Sequence, residues 1–182
     1  MDALVMAGGP GTRLGRGEKP LVAIDGEPMV DRVLGAIDES GVDRATVVTS
    51  PHTPRTASHV EATVLRTQGE GYVPDLEEAL RTVTPPVLTV AADLPLLTGA
   101  VVDRVLAETE LVSTTICVPL ALPRRLGATV ETTIEVDGRT VVPTGLNVVE
   151  ESDRTETLLM TDPTLAVNVN RPRDARVAEV LS

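Results

Sequence analysis

Asp2-Ala3-Leu4-Val5-Met6-Ala7-Gly8-Gly9-Pro10-Gly11-Thr12-Arg13-Leu14-Gly15-Arg16-Gly17-Glu18-Lys19-Pro20 is the stretch that decides how the rest of the chain is read. Residues Asp2 to Ala7 are almost continuously apolar, the pattern of a strand covered on both faces rather than one half in water. Five of the fourteen glycines then fall between Gly8 and Pro20. Glycine lets the backbone approach a ligand closely, and successive N–H groups can form a concavity for an anion. Arg13 and Lys19 add two cations to the same loop. In a chain of formal net charge -11, so many donors and positive charges after a buried strand point to phosphate rather than to a plain flexible connection. Two common phosphate motifs are nevertheless absent. Lys19 stands between Glu18 and Pro20, which breaks a Walker A loop, and Gly9-x-Gly11 is followed by Gly15, one residue too late for the dinucleotide fingerprint.

Outward from this loop, short β-branched runs alternate with segments of helical period. Arg44 to Ser50, Pro86 to Ala92 and Thr115 to Leu120 are further buried-strand candidates. A helix is expected after Pro28, with Met29, Val30, Val33, Leu34 and Ile37 on one stripe and Gly41 as its stop. Others are expected from about Pro74 (Leu76, Ala79, Leu80, Val83), after Thr98 (Val102, Val105, Leu106) and from Pro172 (Val177, Ala178, Leu181). The pattern is that of an α/β fold: a doubly wound, Rossmann-like sheet, mostly parallel or mixed, flanked by helices. Between Val130 and Asn170 the pattern changes. Glu131 to Val136, Asp137-Gly138 and Thr140 to Val142 read as a small β-hairpin extension with a type I′ turn. Gly145 to Val149 and Leu165 to Val169 read as further strands.

At 182 residues, 42% hydrophobic and 24% charged, the chain is expected to form one domain over residues 1–182 with a sizeable core. Its acidity disfavours nonspecific attraction to nucleic acid or anionic lipid. Lys19 is the only lysine, and strong acidity with almost no lysine suits either a protein held soluble in high salt or an ordinary acidic protein from a GC-rich genome. Phe and Trp are absent and Tyr72 is the only aromatic, so stacking on bases is nearly unavailable. The single cysteine, Cys117, rules out an internal disulfide framework and reads as a small core residue. No apolar run approaches a membrane span, and Met1-Asp2-Ala3-Leu4 lacks a basic leader region. A cytoplasmic location without membrane insertion is therefore expected.

Gly8, Ser50 and Asp93 each fall at the carboxyl end of an expected parallel strand, the edge where open α/β sheets bind ligands. A carboxylate at Asp93 suits Mg²⁺, which prefers hard oxygen ligands beside substrate phosphates. The same residue before Leu94-Pro95 also suits a turn or a helix cap. Asn170 offers an amide oxygen, and it stands one residue too early to cap the last helix, because Arg171 precedes Pro172 and is biased away from the helical region. Asn168 has two roles open to it, substrate contact or backbone pairing. Arg16 reads as solvated, and His52 and His59 lack a partner at metal spacing, although His52 lies in a loop expected near a base.

Ala7-Gly8-Gly9-Pro10-Gly11-Thr12-Arg13-Leu14-Gly15 followed by Glu18-Lys19-Pro20-Leu21 resembles the opening loop of the nucleotidyltransferase superfamily, which includes molybdenum cofactor guanylyltransferases and sugar-nucleotide pyrophosphorylases. Thr49 to Pro54, Gly69-Glu70-Gly71-Tyr72, Ala92-Asp93-Leu94-Pro95-Leu96, Val142 to Val149 and Asn168-Val169-Asn170 narrow the resemblance to the archaeal adenosylcobinamide-phosphate guanylyltransferases, over nearly the whole chain. The resemblance implies transfer of GMP from GTP to adenosylcobinamide phosphate, with release of pyrophosphate. It implies catalytic roles for Arg13, Lys19 and Asp93, and a Mg²⁺ held by Asp93 and Asn170. Nucleotide contacts are implied at Ala7, Gly8, Gly9, Gly11, Thr12, Arg13, Lys19, Ser50, Gly69, Asp93, Gly145 and Asn168. Guanine itself needs an acceptor facing N1 and N2 and donors facing O6; candidates lie in Ser50 to Thr53 and Gly69 to Asp75, with Glu70 and Asp75 both open as the acceptor. A molybdopterin guanylyl- or cytidylyltransferase would share the loop and differ in its acceptor. A non-catalytic GTP-binding regulator would not need Arg13, Lys19 and Asp93 together. A homodimer through the strands between Val130 and Val149 is a further expectation.

Overall fold

The computed structural model describes residues 1–109, 112–152 and 154–182. Its first half contains β1 (Asp2–Met6), a two-residue ribbon of β2 (Ala23–Ile24) and β3 (Glu27–Pro28), and α1 (Met29–Asp38). These are followed by β4 (Arg44–Thr49), α2 (Pro54–His59), β5 (Thr63–Arg66), α3 (Tyr72–Leu80) and β6 (Val87–Ala91). Beyond them lie α4 (Gly99–Glu108), β7 (Ser113–Pro119), α5 (Ala121–Leu126), β8 (Ile134–Val136), β9 (Arg139–Val149), β10 (Thr155–Leu159) and α6 (Pro172–Leu181).

One sheet runs in the order β10-β7-β9-β6-β1-β4-β5, with β8 paired to β9. β1 is parallel to both β4 and β6, β4 to β5, and β7 to β10. β9 runs antiparallel to β6, β7 and β8. The expected mostly parallel, doubly wound sheet is therefore present. The chain steps from β1 outward to β4 and β5 and then returns past β1 to β6, so strand order reverses between β1 and β6. In open α/β sheets the crevice at such a reversal receives the ligand.

Both faces of the central strands are covered, which explains their unbroken hydrophobicity. On one face Ala3, Val5, Val47, Leu88 and Val90 pack with Val30, Val33 and Ile37 of α1 and Val102 and Val105 of α4. On the other, Leu4, Met6, Val48 and Val87 meet Ala79, Leu76 and Leu80. A third cluster joins Leu14 of the glycine-rich loop to Val22, Ile24, Val167, Val169, Ala175 and Ala178, fastening that loop to α6. Burying a Val, Leu or Ile side chain contributes about 1.5–3 kcal/mol, so aliphatic residues suffice for a core without Phe or Trp. Cys117 is fully buried in the sheet, and burial pushes its thiol pKa up to about 11.

The hairpin turn has Asp137 at φ 50° and Gly138 at φ 71°, both left-handed as a type I′ turn demands. The two runs expected at Thr140 to Val142 and Gly145 to Val149 are one strand, β9. Its register against β7 shifts between Thr115 and Cys117, and Gly145 lies in that irregularity with φ +85°. One expected strand is absent. Pro163–Leu165 form a 3₁₀ turn, and Ala166 to Asn170 cross the ends of other strands, with Val169 N–H donating to the Asp93 carbonyl. Leu165, Val167 and Val169 are apolar because the segment is buried, which gives a buried crossing the same composition as a strand.

Candidate functional site

The glycine-rich loop leaves β1 at the sheet reversal and is fixed at several points. The Ser50 hydroxyl donates to the Gly8 carbonyl at 2.7 Å and accepts from His52 N–H at 3.1 Å. Gly11 adopts φ +61°, and a Cβ there would stand 2.4 Å from the Lys19 Cβ, so both conformation and space require glycine. Leu14 is buried. The Glu18 carboxylate accepts from the N–H groups of Arg55 (2.9 Å) and Thr56 (2.7 Å) and from the Thr56 hydroxyl (2.8 Å), tying the loop to the start of α2. Burial alone would raise the Glu18 pKa, but these hydrogen bonds outweigh it and hold it below the usual value. Among the described residues, the N–H groups of Gly8, Gly9, Gly11, Thr12 and Arg13 donate to no protein acceptor, whereas Ala7 N–H pairs with the Val48 carbonyl.

Lys19 turns back from this loop to the carboxyl end of β6. Its ammonium donates to Asp93 Oδ2 and, at 2.6 Å, to Asn170 Oδ1. Asp93 Oδ1 accepts from Asn168 Nδ2 at 3.0 Å, and the same Nδ2 donates to the Thr144 carbonyl at 2.8 Å. Asn170 is oriented by α6. Asp174 accepts the N–H groups of Asn170 (3.2 Å) and Arg171 (2.8 Å), and Arg171 caps the helix, so Asn170 is left outside it as expected. The buried Asp174 also receives Thr129 N–H at 2.8 Å, joining the far side of the site to the chain between α5 and β8.

Beside Lys19 and Asp93 lies a cavity of about 330 Å³. Met6, Val48, Ala91 and Ala92 line it at the strand ends, Gly8 to Pro10 on one side and Gly69 to Tyr72 on the other. Asp75 is buried, and its Oδ1 accepts Gly69 N–H at 2.9 Å, holding this second glycine loop in place. Gly69 has φ +76°, and a Cβ there would press on Pro51 and Ser50. Tyr72 is 46% exposed across the cavity mouth while its hydroxyl end faces Thr89 and Asp93. Desolvation of that end raises the phenol pKa, Thr89 lowers it and the Asp93 charge raises it further, leaving it above the ordinary value.

Of the sequence-predicted residues, Ala7, Gly8, Gly9, Lys19, Gly69 and Asp93 line this cavity, together with His52, Glu70 and Asp75. Asn168 and Asn170 reach it through Asp93 and Lys19. Ser50 lies behind the cavity wall as a strap for Gly8. Gly11 lies beneath Lys19, and Gly145 lies beside Asn168, where its added Cβ would strike Ala91 at 2.8 Å. Thr12 is exposed, and Arg13, 61% exposed, donates to Glu131 at 2.6 Å instead of facing the cavity. Arg16 is exposed, as expected, and His59 bonds Asp31. Glu18, Glu131 and Asp174 are functional supports whose partners, Arg55 and Thr56, Arg13, and Thr129, lie far away in sequence. The one local signal among them was Asp174, three residues after the cap position of α6.

Among the described residues, no group of three or more His, Cys, Asp or Glu is placed to hold a metal ion. Asp93 and Asn170 nevertheless present one carboxylate and one amide oxygen to a common point. That pair fits a hard cation such as Mg²⁺, which completes its shell with water and phosphate oxygens, and does not fit Zn²⁺.

The fold and this site define a nucleotidyltransferase: residues 3–129 match the MobA-like NTP transferase domain, and the chain belongs to that family. It is similar over its whole length to the adenosylcobinamide-phosphate guanylyltransferase of Methanocaldococcus jannaschii, at 31% identity and covering 97% of that protein. Solved structures share the fold. A hypothetical transferase from Thermus thermophilus superposes with a TM-score of 0.75 at 22% identity, over 96% of this chain and 98% of that one. A CMP:2-keto-3-deoxy-manno-octonic acid synthetase complexed with CTP gives 0.69 at 17%, over 99% and 97%. Among the described residues, no helix is long and apolar enough to cross a membrane.

Proposed function

We propose that the protein transfers GMP from GTP to adenosylcobinamide phosphate, giving adenosylcobinamide-GDP and pyrophosphate. The observation that carries this reading is the meeting, at the β1/β6 reversal, of unpaired loop amides, the Lys19 ammonium and the Asp93 carboxylate on one cavity. The whole-length similarity to a guanylyltransferase of the same acceptor supports it. An oxygen of the acceptor phosphate attacks the α-phosphorus of GTP in line, and the bond from that phosphorus to the pyrophosphate oxygen breaks. The attacking phosphate is already anionic, so no strong base is needed, and catalysis consists of alignment and charge neutralisation. The N–H groups of Gly8, Gly9, Gly11, Thr12 and Arg13 and the Lys19 ammonium hold the triphosphate. Arg13 joins them on leaving Glu131. When Mg²⁺ is bound by Asp93 and Asn170, it neutralises phosphate charge beside them.

Guanine enters between the two glycine loops. Asp75 spends one carboxylate oxygen on Gly69 N–H, and its other oxygen accepts the N1–H and N2–H edge, while Glu70 stands exposed at the rim. The reading extends to one domain over residues 1–182, supported by the single sheet from β5 to β10. It places the enzyme in the cytoplasm, with its acidity matched to high salt. It also takes the β8–β9 arm, where Ile134 is exposed, as a homodimer contact.

Pyrophosphate release tests the reaction with GTP, ATP and CTP, each against adenosylcobinamide phosphate and molybdopterin. Turnover is expected only with GTP and adenosylcobinamide phosphate. Turnover with molybdopterin in its place would overturn the acceptor assignment.

A further inference from the structure

Lys19 is the only lysine of the chain, and its ammonium lies between Asp93 Oδ2 and Asn170 Oδ1. Those two oxygens are also the pair that fits a divalent cation. Mg²⁺ bonds oxygen at roughly 2.0–2.1 Å, so an ammonium already donating to both oxygens stands where the ion would have to sit. The remaining Asp93 oxygen is committed to Asn168, which is itself fixed by the Thr144 carbonyl. The Lys19 and Asp93 side chains are only 17% and 15% exposed, and a carboxylate so placed requires a compensating charge.

The stem of Lys19 is pinned at one end and free at the other. Its Cβ rests against Gly11, whereas the four-carbon chain lets the ammonium swing between acceptors without moving its root. A polyphosphate on the unpaired loop amides would offer that ammonium several anionic oxygens.

We propose that Lys19 is an internal stand-in for the divalent cation, closing the Asp93–Asn170 pair to metal until a triphosphate draws the ammonium away. This rests on the functional reading above for the identity of the polyphosphate, though not for the contest between ammonium and metal. Nucleotide and metal then load together, and each raises the affinity for the other by the same factor.

Mn²⁺ serves as the probe, its binding to the whole chain without nucleotide read from loss of the free-ion EPR signal. Lys19→Gln and Lys19→Met are expected to bind Mn²⁺ at least tenfold more tightly than the wild type. Arg16→Gln removes the same charge from an exposed position of the same loop and is expected to stay within threefold of wild type. Adding Asp93→Asn to Lys19→Gln is expected to abolish the gain. A gain no larger than that of Arg16→Gln, or one that survives Asp93→Asn, would overturn the proposal.

The wild type supplies a second readout that needs no variant to fold. Labelling lysine at ¹³Cε gives one side-chain NMR signal. GTP without metal should shift it, while Mg²⁺ alone should leave it in place at concentrations that saturate the GTP complex. A shift by Mg²⁺ alone at those concentrations would equally refute the stand-in. Failure of GTP to bind would count against the functional reading, and the Mn²⁺ comparison would still decide this one.

Discussion

Substituting Gly11 separates two demands that the glycine-rich loop makes on its residues. Gly11 and Gly15 have nearly the same backbone conformation, φ +61° and +65°, but different surroundings. A Cβ at Gly11 would lie 2.4 Å from the Lys19 Cβ, whereas one at Gly15 would meet nothing within 4 Å. The left-handed conformation costs an alanine about 1–2 kcal/mol at either position, which for a chain of this size lowers Tm by roughly 2–8 °C. The clash belongs to Gly11 alone. Relieving it needs about 1 Å of movement by Lys19 or the loop, and a misplacement of about 1 Å near reacting groups can slow turnover about a hundredfold, equivalent to ~2.7 kcal/mol of barrier. Gly11→Ala and Gly15→Ala should therefore melt at similar temperatures in circular dichroism, while only Gly11→Ala loses pyrophosphate release. Equal turnover in the two variants would show that the seat of Lys19 on Gly11 does not set the geometry of the site.

Asp93→Asn should slow pyrophosphate release at least about a hundredfold, ~2.7 kcal/mol of barrier, measured below the melting temperature of the variant; near-normal rates would remove Asp93 from the chemistry. Asp75→Asn keeps an oxygen for Gly69 N–H but turns an N–H₂ toward guanine, so a preference for GTP over ITP supported by charge-assisted hydrogen bonding, about 1.5–3 kcal/mol, should collapse. An unchanged ratio of kcat/KM values for the two nucleotides would exclude Asp75 as the reader of the base. Glu18→Gln should cost about 0.5–2 kcal/mol of stability, as the loss of a helix-capping acceptor does. Hydrogen bonds from Arg55 and Thr56 hold the Glu18 pKa below its ordinary value in the fold, so its contribution is fully present above that ordinary value and is lost as pH falls through the lower folded one. Melting curves of wild type and variant should converge on acidification, and a gap that widens instead would contradict the hydrogen bonding described for this carboxylate.

The parts legible in the sequence are those whose signal is local. Asp2 to Ala7, Arg44 to Ser50 and Pro86 to Ala92 have apolar centres without strict alternation because helices cover both faces, and the sequence pattern reports that directly. The loop is legible through glycine and charge, Lys19 through its place in that loop, and Asp93 through its position after a strand. Asp137-Gly138 carried its turn type in its two residues. β10 carries no strand signature of its own, because Thr155-Glu156-Thr157 at the sheet edge has the composition of solvent-facing chain and its partner β7 lies far away in sequence. Leu165 to Val169 misled for the opposite reason, since burial without pairing also selects aliphatic residues. The direction of Arg13 toward Glu131, the Glu18 clasp on α2 and the support of Asn170 by Asp174 all depend on residues brought together by the finished fold.

Tyr72 has one more consequence. With no tryptophan and no second tyrosine in the chain, the protein's intrinsic near-ultraviolet emission arises from one ring at the cavity mouth. Occupancy of the cavity can therefore be followed in the unlabelled protein by quenching of that emission, with no background from any other side chain.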